Sequence, residues 1–419
     1  MESLAPVLGS PLGPGNDAID FGKLATAAEI RMNANSKTGD KLKIAWVISP
    51  LVARGGGFDI LRGWIKHLPE DRFDLMLVYY SWERERVEEA LAPWPHVRLV
   101  HVPQLHSPGA LFVPAVRALA DIFEQERPDV VHSVMVQGDI LGSIAARRAG
   151  VPLILSTAIG YLVAHTAPWK AVLYRLGLRL ARRRIDQVLA ISGATRTQLV
   201  EEFGFPADRV RVVYCGIELG ETQPERANVI PRSEAPLIGL VGELIFEKGA
   251  QHLLRAVPEI LEAHPRARFR IVGDGDYRPS LEALAASLGI EDRVDFTGWL
   301  ASGRRAIEEF DIFVFASEPG YDGLPRVLLE AWDVGTPFVT TNVAVVPEIV
   351  RDGVDGLVIP PKDPRAIAAA VNRLLGDPSL WTAVRNAGLA RAPEFGVKHE
   401  VELLREVYES VVDHKREVC

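Results

Sequence analysis

Short runs of consecutive apolar residues alternate along this chain with stretches in which apolar positions return every three or four residues. Runs at 41–49, 73–79, 97–102, 127–133, 151–156 and 186–191 have few polar interruptions, the pattern of strands buried on both faces. Helical spacing fills 60–68, 139–149, 169–184 and 194–203. A polar stretch at 220–236, with Pro224, Pro231 and Pro236, then breaks the alternation as a linker does. Beyond it a strand is expected from Leu237, a strand and turn at 269–276, and strands at 311–316 and 336–340. Helices are expected at 250–257, 366–375, 380–390 and 395–412. The alternation predicts an α/β protein whose parallel sheets are covered on both faces and divided at the linker.

The first 40 residues lack this pattern. They read as a disordered leader with a short helix near 24–32, and they lack the basic start and apolar core of a secretory signal. Residues 151–169 contain no Asp, Glu, Lys or Arg, but Ser156, Thr157, His165 and Pro168 fit a buried strand and a site loop better than a membrane span. A length of 419 residues suits two or three domains, and the net charge of −8 argues against a nucleic-acid partner. Only Cys215 and Cys419 are present, which excludes a disulfide framework and a thiolate metal site. A cytoplasmic protein is expected.

Chemistry concentrates in Tyr321-Asp-Gly-Leu-Pro-Arg-Val-Leu-Leu-Glu-Ala-Trp-Asp-Val-Gly335. Asp322 and Glu330 lie eight positions apart, around a turn at Gly323-Leu324. Pro325 suits the first turn of a helix, where its missing N–H costs nothing. Such a helix start presents free N–H groups and a positive dipole end to a phosphate. Glu330, further along the helix, can accept from ligand hydroxyls.

This segment resembles the Glu-x7-Glu motif of the retaining GT-B glycosyltransferases of family 4, with Asp322 at the first acid. The resemblance runs from about 41 to 415 and includes Gly242-Glu-Leu-Ile-Phe-Glu-Lys-Gly249, similar to the family's Gly-Arg-Leu-x-x-Glu-Lys-Gly. It implies two Rossmann-like domains with parallel sheets facing across a cleft. An acceptor domain would span 41–219, a nucleotide-sugar-binding domain 237–393, and a helix at 394–415 would return to the first domain. Residues 347–359 match the family's closing, hairpin-like segment.

By this resemblance, Lys248 and the N–H groups near Gly323 and Leu324 hold the donor diphosphate. Glu330 takes the ribose, Asp322 a donor-sugar hydroxyl, and Trp299 borders the base, where it stacks or simply packs. Gly56 and Gly57, in the glycine loop after the first strand, border acceptor and phosphates. The leaving phosphate itself helps deprotonate the acceptor, so neither metal nor cofactor is implied. A nucleotide-sugar, most simply a UDP-sugar, is the expected donor. The acceptor is undefined: a glycan, a lipid-linked sugar or a small natural product.

Three departures stand out. Glu243 replaces the family's Arg beside the diphosphate, leaving Arg326 or Arg54 to supply a cation. Val134 replaces the second His of His-x-His, so His132 and His165 are the remaining histidine candidates. Asp322 is one methylene shorter than Glu, and Glu318 is near enough in sequence to compensate. These departures keep two other readings open, a phosphate-dependent sugar phosphorylase and a scaffold that has lost donor binding. Asp274-Gly275-Asp276 reads as a glycine turn, not a metal motif, and Cys215 as a packed residue. Residues 169–184, from Trp169 to Arg184, form a basic helix with Leu173, Leu176 and Leu180 on one side. These leucines read either as a core stripe under a solvated face or as contact with an anionic membrane.

Overall fold

The structure is a computed structural model that describes residues 41–53, 55–106, 112–159, 168–220, 235–300, 302–343 and 345–417. The leader, Arg54, His165 and most of the linker lie outside the described residues.

The first sheet holds β1 (Leu42–Ile48), β2 (Phe73–Tyr79), β3 (Arg98–His101), β4 (Val130–Val134), β5 (Leu153–Ala158), β6 (Gln187–Ala190) and β7 (Val210–Val212). The second holds β8 (Leu237–Val241), β9 (Arg268–Val272), β10 (Val294–Gly298), β11 (Ile312–Phe315), β12 (Phe338–Thr341) and β13 (Leu357–Ile359). Their orders are β3-β2-β1-β4-β5-β6-β7 and β10-β9-β8-β11-β12-β13, and every strand pairing is parallel. In each sheet the order reverses beside the first strand, between β1 and β4 and between β8 and β11. At such a switch point the connections leave toward opposite faces, and a crevice opens outside the strands' carboxyl ends.

Both faces of β1 are buried. Ile44, Trp46 and Ile48 enter one core and Ala45 and Val47 the other, which is why the strand reads as a continuous apolar run. The C-terminal helix Val397–Glu417 completes the first of these cores. Trp46 Nε1 donates to Tyr408 Oη at 2.9 Å, and Trp64 Nε1 and the Gly216 N–H both donate to Glu400 at 2.8 Å. Gly63 admits the helix, because a Cβ there would sit 2.6 Å from Val397 Cγ2.

Residues 347–359 are not a hairpin. A short helix, Val346–Ile349, leads through a tight loop to β13, which pairs parallel with β12. Buried Asp355 holds that loop by accepting from Arg351 N at 2.7 Å and Arg351 Nε at 2.6 Å. The first helix starts at Gly56, earlier than its apolar spacing indicates, because the glycines carry no side chain to mark it.

Candidate active site

The residues after β8 and β11, the two strands at the second sheet's switch point, meet outside their carboxyl ends. Gly249 makes this possible. Its φ is +74°, and a Cβ would collide with the Ala316 carbonyl at the end of β11. The turn before it delivers Lys248, whose Nζ lies 2.5 Å from Asp322 Oδ1. Ser317 Oγ donates to Asp322 Oδ2, also at 2.5 Å, and Ser317 is fully buried. Nζ also lies 5.1 Å from the centre of the Tyr321 ring, whose face favours a cation.

The Arg326–Val334 helix begins just beyond this cluster. Pro325 is its N-cap, one position earlier than a first-turn proline, and it offers no side-chain cap. Among the described residues no acceptor engages the N–H groups of Gly323, Leu324, Arg326 or Val327. Open donors at the positive end of a helix beside a lysine make an anion-binding corner.

Glu330, on the same helix, lines a cavity of about 300 Å³ between the two halves of the molecule. Ser302, Gly303 and Arg304 bound it on one side, and Asp59, Arg62 and Trp94 on the other. Burial lifts the Glu330 carboxyl to about 7; Asp59 and Asp333 push the same way, while Arg326 and Arg304 pull against it. Arg304 Nε is committed to Asp333 at 2.6 Å. Arg326 Nη1 reaches across to donate to Gly56 O at 3.2 Å, so the glycine loop and the helix start are joined directly. Around Gly57 there is open space, and a Cβ at Gly56 would meet only Arg326 Cδ, at 3.7 Å.

Other sequence candidates are placed differently. His132 is fully buried, with Nδ1 2.7 Å from Tyr408 Oη and Nε2 2.8 Å from Thr157 Oγ1. Burial pushes its pKa down to about 3, so it is a neutral core residue and has no free edge for a ligand. Glu318 does not stand in for Asp322: it is bound to His252 at 3.1 Å and Lys362 at 2.8 Å. Burial works to raise its pKa, and those two partners overcome it and lower it.

Gly242 donates to Val272 O at 3.0 Å and so continues the turn out of β8. Glu243 beside it is exposed and pairs with no cation among the described residues. Its charge is felt at Tyr321, whose pKa is raised first by burial and then by Glu243 and Asp322. Trp299 is 59% exposed at the end of β10, as a free stacking face requires. Asp274 accepts from Gly275 N at 2.9 Å in the glycine turn, and Cys215 is buried. Among the described residues, no three His, Cys, Asp or Glu side chains cluster closely enough to hold a metal ion.

Ser317, Asp59 and Trp94 were not legible as site residues. Each is a lone residue with no motif, and only the topology brings it here.

The comparisons agree with this architecture. A model described as glycosyltransferase family 4 matches residues 54–221, and one described as glycosyl transferases group 1 matches 235–377. The uncharacterized glycosyltransferase MJ1607 of Methanocaldococcus jannaschii is 33% identical over 202 residues, 46% of this chain and about half (51%) of that protein's length. The D-inositol 3-phosphate glycosyltransferase of Acidothermus cellulolyticus is 30% identical over 308 residues, 69% of this chain and 68% of the relative. The structure of Anabaena Alr3699/HepE in complex with UDP superposes with a TM-score of 0.72 at 21% identity, over 88% of this chain and 100% of that one. Matched in both halves and sharing their two-sheet GT-B fold, the chain belongs to the group 1, family 4 glycosyltransferases.

Proposed function

We propose that this chain is a retaining, metal-independent glycosyltransferase that moves a sugar from a nucleotide-sugar, most simply a UDP-sugar, to a hydroxyl acceptor. The observation that carries the reading is the anion-binding corner: Lys248, held by Asp322, beside the open N–H groups before the Arg326–Val334 helix. A donor diphosphate placed there gathers charge as the C1–O bond to its leaving oxygen breaks. Fixed N–H donors and an ammonium stabilise that charge more in the transition state than in the ground state. Lys248 then turns from Asp322 to the phosphate. Asp322 keeps its bond from Ser317 and accepts from a sugar hydroxyl.

The acceptor oxygen bonds to C1 on the face the diphosphate leaves. Its proton passes to the departing phosphate oxygen, so no separate base is needed. Glu330, in the adjoining cavity, accepts from ribose hydroxyls. The UDP preference draws its support from the HepE complex, which holds UDP.

A thermal-shift panel of UDP, GDP, ADP, dTDP and inorganic phosphate, each with Mg²⁺ or with EDTA, tests this reading. A nucleotide at about 100 times its dissociation constant stabilises the fold by roughly 2.7 kcal/mol. The expected result is a shift with UDP that EDTA leaves unchanged. The donor so identified is then supplied with candidate acceptors, and NMR of the product reads the anomeric configuration. Inversion at C1, or a shift that needs Mg²⁺, overturns the mechanism. A shift with phosphate alone replaces the transferase reading with a phosphorylase, and no shift at all replaces it with a scaffold.

A further inference from the structure

Four of the twelve large apolar side chains exposed among the described residues lie on one helix, Pro168–Ala181. They are Val172 at 62% exposure, Leu173 at 44%, Leu176 at 56% and Leu180 at 52%. The core-stripe reading of these leucines is therefore reversed. The opposite face is the seated one: Leu178 and Ala181 are 1% exposed, and a Cβ on Gly177 would collide with Ile140 of the helix beneath. At about 100° per residue, positions 172, 173, 176 and 180 form one outward stripe, with 175 and 179 beside it and Arg183 in the turn that follows the helix.

The charge of this segment is opposite to that of the molecule. Residues 168–184 carry one Lys, five Arg and no acid, within a chain of net charge −8. Arg179, Arg182 and Arg184 donate to the backbone carbonyls of Glu202, Phe203, Gly204 and Leu180, which leaves their charge unneutralised. Arg175 and Arg183 are exposed and pair with no acid among the described residues.

We propose that the outward face of this helix docks on an anionic lipid bilayer. The four apolar side chains enter the headgroup–acyl boundary, and the arginines meet lipid phosphates. Charge decides against a second copy of the same face, since docking it on itself would bring like charges together. No helix among the described residues is long and apolar enough to cross a membrane, so the contact is peripheral. The helix follows β5, so in a parallel sheet it starts at the carboxyl edge where the glycine loop opens. The surface lies outside the donor pocket, and its use does not depend on the reaction proposed above.

The test is co-sedimentation of the full chain with vesicles of phosphatidylcholine alone or mixed with phosphatidylglycerol. Two variants accompany it, Leu173→Ser/Leu176→Ser/Leu180→Ser and Arg175→Glu/Arg183→Glu, with melting curves to confirm that both fold. The expected result is binding to the anionic vesicles that added salt weakens, reduced at least about tenfold in each folded variant. Absence of binding by the folded wild-type chain overturns the proposal, as does equal binding by the variants. Sedimentation velocity without lipid adds a third arm. A dimer that the serine variant abolishes, seen with no vesicle binding, assigns the face to a second copy instead.

Discussion

The Lys248 ammonium sits 2.5 Å from Asp322 Oδ1, so the cation suited to a leaving diphosphate is already neutralised by the acid suited to the sugar. A diphosphate must compete with that carboxylate for the ammonium. At an effective dielectric of about 20, a unit charge at this range is worth on the order of 7 kcal/mol before relaxation. Asp322→Asn should therefore bind free nucleoside diphosphate about tenfold more tightly while transferring sugar at least tenfold more slowly. Lys248→Ala should lose at least tenfold in both. Calorimetry and initial rates check this, and weaker nucleotide binding by Asp322→Asn would remove the competition.

If Glu330 holds the donor ribose as proposed, donor binding should depend on pH. Burial raises its carboxyl to about 7, so it is about nine-tenths ionised at pH 8 and about one-tenth at pH 6. Two ribose hydroxyls donate best to the ionised form. UDP affinity should fall by up to about tenfold from pH 8 to pH 6. The nucleotide's own phosphate also titrates near pH 6, so Glu330→Gln is the control and should lose only the carboxylate's share. Identical pH slopes in the two proteins would rule out the carboxylate as the titrating contact.

Much of the fold was written in local pattern. The run at 73–79 is β2 to the residue, because beyond the exposed Asp74 near its start the strand is buried on both faces and holds only apolar residues and Tyr79. Lys248 and Asp322 were legible because a motif marks each, although nothing local says that they touch. That contact needs the switch between β8 and β11, a property of strand order. His132 misleads for the matching reason: it reads as the end of a strand at the correct edge, but it sits inside β4, and Tyr408, 276 positions later, bonds its ring. Leu173, Leu176 and Leu180 keep helical spacing whichever way they face, so periodicity could not tell the seated side from the exposed one.

A carboxylate also clasps the two halves together. Glu348 accepts from the Gly193 and Ala194 N–H groups, each at 2.7 Å, and from Tyr214 Oη at 3.3 Å. Gly193 and Ala194 open the Gly193–Glu201 helix, so the anion meets both free donors and the positive end of the dipole. Glu348→Ala should weaken closure by about 1–2 kcal/mol and slow turnover, while Glu348→Gln should recover part of the loss. Small-angle scattering should show a larger radius of gyration for the alanine variant. An unchanged radius with unchanged turnover would mean that the clasp is decorative.

Two buried acids outside the site set the alkaline side of stability. Asp139 accepts from Ser133 Oγ at 2.6 Å and Glu400 from Trp64 and Gly216, yet burial raises both carboxyls to about 7. In the unfolded chain they titrate near 4, so the folded protein holds more protons across the interval between. Their contribution is full below about pH 4 and is lost as pH rises through about 7. His132, held neutral down to about pH 3, works in the opposite direction, but only below its ordinary value of about 6.5. From pH 6.5 to 8.5 the raised acids, Glu330 among them, therefore dominate. There the unfolding free energy should fall by on the order of 1 kcal/mol per group. Asp139→Asn keeps an acceptor for Ser133 and cannot ionise, so its stability should decline less steeply over that window. Denaturant unfolding at several pH values measures both slopes, and equal slopes would show that Asp139 does not take up a proton on folding.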